Sequence, residues 1–301
     1  MPKVSILMNC FNSDKYLRES IDCVINQTFD DWEIIFWDNQ STDRSAEIAK
    51  SYGDERIKYF LAPEHTSLYK GRSAALRHCS GEYLAFLDCD DLWMPSKLEK
   101  QLCILEANKN ISLVHSNTIF FNSDNGYERV YHKSKRTSGY IFNEVVCDYY
   151  FSLETVMVRM ETIVTNELDF GDFNLAGDRD FFSMICFYGD VAYIPETLGK
   201  WRIHNNNFTS VLQNSAPKEI RRMYLRFKEK FKDDLTREMR LSLYDEIILR
   251  KAFNEFQVSG SFVRKKLKKL HIFDAKGLAL WILSYFPKKL SLYVFRIYRD
   301  V

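Results

Sequence analysis

Between Lys3 and Leu105, short apolar runs alternate with segments whose apolar residues recur at helical spacing, and few folds accept that alternation. Lys3 to Met8 reads as a strand. Asn9 to Ser13 then offers helix-capping side chains ahead of a helix with Leu17, Ile21, Val24 and Ile25 on one face. Glu33 to Trp37 is a second strand, followed by a helix that Ser41 or Asp43 would cap and that carries Ala46, Ala49 and Tyr52. A third strand fits Ile57 to Leu61, a helix Tyr69 to His78, and a fourth strand Tyr83 to Leu87. Pro95 suits the first turn of the next helix, which buries Leu98, Leu102 and Leu105. Strand–helix units of this length imply βαβ crossovers, so the expected fold class is α/β: a mostly parallel sheet flanked by helices. A further strand is expected between Ser112 and Phe121, and a helix from Asp178 to Phe187. From Pro217 onward the chain reads as helical, which places one α/β domain at residues 1–214 and a helical region at 215–301.

The fourth strand ends in Leu87-Asp88-Cys89-Asp90-Asp91. Ligands of open α/β sheets bind outside the carboxyl ends of the strands. Carboxylates delivered there are hard oxygen ligands suited to Mn²⁺ or Mg²⁺, and those ions suit diphosphates. The same acids also fit a solvated strand end or the start of the Pro95 helix.

Composition narrows the function class. At 46% hydrophobic and 28% charged residues, the chain can bury a core. A net charge of +1 supplies no global field for nucleic acid, so none is expected as a partner. Seven cysteines without a CxxC pair read as small buried hydrophobes in a reducing compartment. No apolar run approaches the roughly 20 residues a bilayer span requires. Met1-Pro2-Lys3 leads straight into a strand, with no secretory leader, so the expected location is cytoplasmic.

The order of further motifs resembles the inverting family-2 glycosyltransferases, whose nucleotide-sugar-binding domain has the GT-A fold. The resemblance covers roughly Pro2 to Ser210 and rests on an ordered set: Phe11-Asn12, Tyr16-Leu17, Gln27-Thr28-Phe29, Asp38-Asn39-Gln40-Ser41-Thr42-Asp43, Arg72, Gly81-Glu82-Tyr83, Leu87-Asp88-Cys89-Asp90-Asp91, Gly177-Asp178-Arg179-Asp180 and Trp201-Arg202-Ile203-His204. It implies a sugar transferase with a nucleoside-diphosphate donor, UDP-linked in many relatives, and a glycan or lipid-linked glycan acceptor. Its cofactor would be Mn²⁺ or Mg²⁺.

Roles follow from the matched positions. Asp90 would be the principal metal ligand and Asp88 a contact to the donor ribose or the metal shell, with Cys89 between them. Asp91 would support the turn. His204 would complete the metal or diphosphate shell, and Arg72 would fork onto a phosphate or brace the nucleotide loop. Asp178 would be the base that takes the acceptor proton, although it equally suits a helix N-terminus. The family's preceding Glu is Gly177 here. Asn9 and Phe11 would flank the base, beside Asp38. Asn39 replaces the usual Asp and would read the base through its amide, which leaves uracil, thymine or guanine open. Residue type alone points to Tyr149, Tyr150 and Trp201 for stacking on acceptor sugars.

Beyond these motifs, Arg264, Lys265, Lys266, Lys268 and Lys269 precede the apolar run Leu278 to Phe286 and then Lys288-Lys289. Cationic residues beside aromatic and aliphatic ones suit an interfacial helix on an anionic membrane surface, at the inner face of the membrane. A helical lid or dimer contact would use the same pattern. Two rival functions remain at this level: a nucleotide-sugar-binding scaffold subunit without turnover, and a nucleotidyltransferase, whose Gly-rich basic loop is missing from Asn9 to Lys15.

Overall fold

A computed structural model describes residues 1–204, 207 and 215–259. The chain forms two compact units, Met1–Asn207 and Phe208–Val301. In the first, β1 (Val4–Cys10), α1 (Leu17–Ile25), β2 (Trp32–Asp38), α2 (Ser45–Lys50), β3 (Ile57–Leu61), α3 (Leu68–Leu76) and β4 (Tyr83–Phe86) follow the expected alternation. Next come β5 (Leu92–Trp93), α4 (Lys97–Ala107), β6 (Ile111–Asn122), β7 (Tyr127–Val130) and α5 (Phe142–Cys147). A 3-10 turn at Leu153–Thr155, β8 (Met157–Arg159), α6 (Met160–Thr165), α7 (Gly177–Tyr188) and β9 (Asp190–Arg202) complete the unit.

The sheet runs β3-β2-β1-β4-β8-β6-β9-β5, with β7 on β6. β1 and β2 are buried along their whole length, as strands covered on both faces must be. β1 lies parallel to both β2 and β4, with Leu7 level with Ile35 and Phe86. The carboxyl ends of three strands therefore finish side by side. Beyond β4 the sheet is mixed. There β8 pairs antiparallel with both β4 and β6, while β6 and β9 are parallel. β8 is three residues long, too short for any periodicity to mark it in the sequence.

A polar knot sets where β4 begins. Ser5 Oγ donates to Glu33 Oε1 at 2.6 Å and accepts from Gly81 N at 2.8 Å, and Glu33 also takes Ser80 N at 2.8 Å. A Cβ on Gly81 would lie 2.5 Å from Ser5 N, so only glycine admits this approach. The aspartates past β4 thus emerge at a fixed height on the sheet edge.

Several local expectations needed adjustment: Pro95 lies ahead of α4, which starts at Lys97 after its cap at Ser96, and Tyr52 lies past the end of α2. Ile25 falls at the end of α1 and is half-exposed, leaving Leu17, Ile21 and Val24 as the buried face. α2 starts at Ser45; Asp43 accepts Ser45 N at 2.9 Å, and Ser41 Oγ instead takes Asn12 N at 3.1 Å. Of the seven cysteines, Cys10, Cys89 and Cys186 are buried hydrophobes, whereas Cys103 is exposed, and all are free thiols.

In the second unit, α8 (Ala216–Lys230) and α9 (Arg237–Ser259) are helical, with Pro217 in the first turn and Met223, Phe227, Met239 and Leu243 buried. Among the described residues, no helix is long and apolar enough to cross a membrane. The basic cluster from Arg264 and the apolar run that follows it lie outside the described residues.

Candidate active site

Asp88, Asp90 and Asp91 leave the carboxyl end of β4 in a turn, and each side chain meets a different partner. Asp88 pairs with Arg72 of α3. The guanidinium is 2% exposed, the carboxylate 34%, so Asp88 supplies the counter-charge that a buried Arg requires while still facing solvent. Arg72 also lies 4.8 Å from the ring centre of Tyr69. Asp91 is buried and accepts the backbone N–H of Arg202 at 2.8 Å. Burial, with neighbouring Asp90 and Glu154, pushes its carboxyl well above the usual range.

Asp90 Oδ2 lies 2.8 Å from His204 Nε2. A short turn after β9 aims the imidazole: His204 N donates to Asn207 Oδ1 at 2.6 Å, and Asn207 Nδ2 returns to Arg202 O at 2.9 Å. Arg202 fastens the whole corner. Its buried guanidinium donates to Asp90 O at 2.7 Å, to Glu19 of α1 at 2.8 Å and to Ser123 Oγ, between the rings of Tyr16 and Phe121. Among the described residues, no group of three or more His, Cys, Asp or Glu is arranged to hold a metal ion. The donor set nevertheless fits Mn²⁺ or Mg²⁺. One carboxylate and one imidazole, with Asp88 beside them, leave positions for water and substrate phosphate, which is how Mg²⁺-type sites are commonly filled.

Asp178 stands in the first turn of α7. Its Oδ1 accepts Arg179 N at 2.8 Å and its Oδ2 accepts the Tyr149 hydroxyl at 3.1 Å. Burial raises its pKa, while Arg179 N, the Arg72 charge and the Tyr149 and Tyr69 hydroxyls pull the other way. The net rise moves a carboxylate toward the range useful to a general base. Beside it, Gly177 has a definite packing role. A Cβ there would sit 2.2 Å from Tyr69 Cγ, so the Tyr69 ring occupies the space that a side chain at 177 would need.

The residues expected to meet the nucleotide are held by other parts of the protein. Both oxygens of Asp38 are committed: Oδ1 takes Ser41 N at 2.7 Å and Oδ2 takes the Tyr59 hydroxyl at 2.6 Å. Asp38 shapes the loop after β2 and presents no free oxygen. Asn39 is likewise buried, its Nδ2 donating to Thr66 O at 2.9 Å and its Oδ1 accepting Thr66 N at 3.1 Å and Oγ1 at 3.3 Å. The carbonyl that would read a base instead pins the loop before α3. Cys89 is buried, its thiol 3.7 Å from Asn9 O. Asn9 Nδ2 donates to Leu68 O at 3.2 Å, and its Oδ1 is buried without a partner. Phe11, by contrast, is 47% exposed and packs on the ring of His65 at 4.3 Å.

The three aromatic residues expected at the acceptor have different surroundings. Tyr149 bonds Asp178. Tyr150 is buried among His115, His132 and Phe151, so its ring offers no face to a sugar. Trp201 is half-buried, edge-on to Phe120 at 4.9 Å. Sequence reasoning overlooked Tyr69, His65 and the clamp made by Arg202. Only Arg202 carried a signal, its place between Trp201 and His204. A polar depression of about 550 Å³ lies at the opposite end of the strands, bordered by Ser112, Arg159, Glu161 and Asp190. Arg159 there is spent on the backbone carbonyls of Leu105, Asn108 and Ile111.

Residues 5–157 match the profile of the family described as Glycosyl transferase family 2. An uncharacterized glycosyltransferase of Haemophilus influenzae is 30% identical over 236 residues, 73% of this chain and 72% of that protein. An Escherichia coli relative named UDP-Glc:alpha-D-GlcNAc-diphosphoundecaprenol beta-1,3-glucosyltransferase WfgD is 34% identical over 121 residues, 40% of this chain and 47% of its own length. Among solved structures, Staphylococcus aureus TarS 1–349 in complex with UDP-GlcNAc superimposes with a TM-score of 0.66 at 16% identity, covering 94% of this chain and 79% of TarS 1–349. The mannosyltransferase PcManGT of Pyrobaculum calidifontis, in complex with GDP-Man and Mn²⁺, gives 0.59 at 14% identity, covering 100% of this chain and 88% of the other. These likenesses establish the same fold.

Proposed function

Because the chain belongs to glycosyltransferase family 2 and is an enzyme that uses a nucleotide-sugar donor, we propose that it is a divalent-metal-dependent, inverting transferase that moves a sugar from a UDP-sugar to a hydroxyl of a glycan or lipid-linked glycan. One observation carries this reading: Asp90 and His204, 114 positions apart in the chain, meet at 2.8 Å on the carboxyl edge of the sheet. Asp90 and His204 would hold Mn²⁺ or Mg²⁺, with Asp88 beside them. The ion would supply Lewis-acid neutralisation of the departing diphosphate. Arg72 holds Asp88 in place. Asp178 accepts the proton of the acceptor hydroxyl as it attacks, and Tyr149 orients that carboxylate. A single displacement inverts the anomeric configuration, so a retained configuration in the product would exclude Asp178 as base in this scheme.

The UDP donor is supported by the ligand of TarS and the name of the WfgD relative, and metal use by the Mn²⁺ of PcManGT. The diphosphoundecaprenol in the WfgD name supports a lipid-linked acceptor, and such an acceptor would lie at a membrane surface. The cationic and apolar stretch after Ser261 would bring the enzyme there. Deleting that stretch should abolish co-sedimentation with anionic liposomes; undiminished binding would remove it from the role. The primary test is calorimetry of UDP, GDP, dTDP and CDP with and without Mn²⁺. Metal-dependent binding of one nucleotide, lost in Asp90→Ala, supports the reading. Nucleotide binding without transfer or hydrolysis would favour a scaffold instead.

A further inference from the structure

The carboxyl ends of β1, β2 and β3 deliver three loops to one edge, and their exposed aromatic pair is Phe11 with His65. His65 Nδ1 lies 2.9 Å from the backbone oxygen of Asn39. A carbonyl only accepts, so Nδ1 carries the hydrogen and the neutral ring keeps its Nε2 lone pair as an acceptor. Asn39 N is itself fixed to Cys10 O at 2.8 Å, and the Asn39 amide is spent on Thr66. The residue that a sequence reading assigns to the base therefore holds a frame, and the frame presents an imidazole acceptor next to an exposed phenyl ring.

We propose that His65 determines which nucleobase the donor site takes, accepting a ring N–H through Nε2 while Phe11 supplies the stacking face. This inference rests on the nucleotide-sugar reading of the site. An acceptor at that point suits a base whose ring carries an N–H beside a carbonyl, as uracil at N3 and guanine at N1 do. It opposes cytosine, whose N3 is an acceptor. Asn39 acts only by positioning His65 and Thr66.

Calorimetry of UDP, GDP and CDP in Mn²⁺ on wild type, His65→Phe, His65→Ala and Asn39→Ala tests the assignment. His65→Phe keeps a ring beside Phe11 and removes the acceptor. It should weaken UDP or GDP, whichever the wild type prefers, by roughly 2- to 12-fold, the worth of one neutral hydrogen bond, and leave CDP unchanged. His65→Ala should weaken all three, because stacking is lost as well. Asn39→Ala keeps the backbone oxygen that positions His65 and removes only the amide that holds Thr66, so it should weaken all three without changing their ratios. Equal losses of UDP and CDP in His65→Phe, no loss at all, or a wild-type preference for CDP would overturn the proposal while leaving the donor site standing. A wild type that binds no nucleotide under any metal condition would instead remove the donor-site reading, and this inference with it.

Discussion

Tyr149→Phe is the most informative substitution for the chemistry, because it deletes one oxygen and keeps the ring that packs on Phe151 at 5.7 Å. The lost hydroxyl donates to Asp178 Oδ2 at 3.1 Å. Hydrogen bonds to charged groups contribute about 1.5–3 kcal/mol, and this one is long for an O–H donor, which points to the lower end. The bond holds the Asp178 pKa below where burial alone would leave it. Burial, helped by the Asp178 charge, pushes the Tyr149 phenol well above its ordinary value, so it remains a donor at every working pH. The sign is fixed: a donor favours the ionised carboxylate, so its removal raises the pKa. The acid limb of kcat/KM should move upward in Tyr149→Phe, with the rate approaching wild type on the alkaline side. A steady-state pH profile of sugar transfer reads this directly. An unmoved limb, or one displaced toward acid, would show that the Tyr149 bond does not tune the group that takes the proton.

Two other substitutions separate chemistry from architecture. Asp178→Asn should lower kcat by about 10²–10⁴-fold while calorimetric nucleotide affinity stays at wild type; a parallel loss of binding would place Asp178 in the donor site instead. Lys97 is fully buried, 4.0 Å from the Trp93 ring centre and bonded to Gln101 Oε1 at 2.7 Å, and burial lowers its pKa from 10.5 to about 7. Between those values the unfolded chain binds the proton that the folded chain has released, so stability should rise with pH from about 7 toward 10. Lys97→Met should flatten that rise in urea unfolding measured across the range. An unchanged slope would mean that the amine is charged in the folded protein.

The strands and helices up to Leu105 were legible because each long element carries its own periodicity, and β1 and β2 are mostly apolar apart from residues such as Ser5 and Glu33. The pair proposed to hold a metal could be picked out as well: acids at a strand end and an imidazole after an aromatic-Arg pair are local patterns, and the structure brings Asp90 and His204 into contact. Three things were not legible. β8 is too short to show a period, so the antiparallel pairs were missed. The spending of Asp38 on Tyr59 and of Asn39 on Thr66 depends on residues 21 and 27 positions away, which no spacing rule links. Tyr150 faces inward because it packs on His115, His132 and Phe151, a property of the folded neighbourhood and not of residue type.

The Tyr69 ring above Gly177 has a consequence for how this sequence changes over time. The ring leaves no room for even a methyl group at 177, so an acid cannot enter there while Tyr69 stands. Shrinking Tyr69 first would open a void against Phe170 and uncover one face of the Arg72 guanidinium. Either single step is costly, and only the joint exchange avoids both penalties. The two positions are therefore sterically coupled, so a larger residue at 177 requires a smaller one at 69. Consensus redesign that restores the acid alone would fail for the same reason, whereas pairing it with a small residue at 69 gives the redesign a passable route.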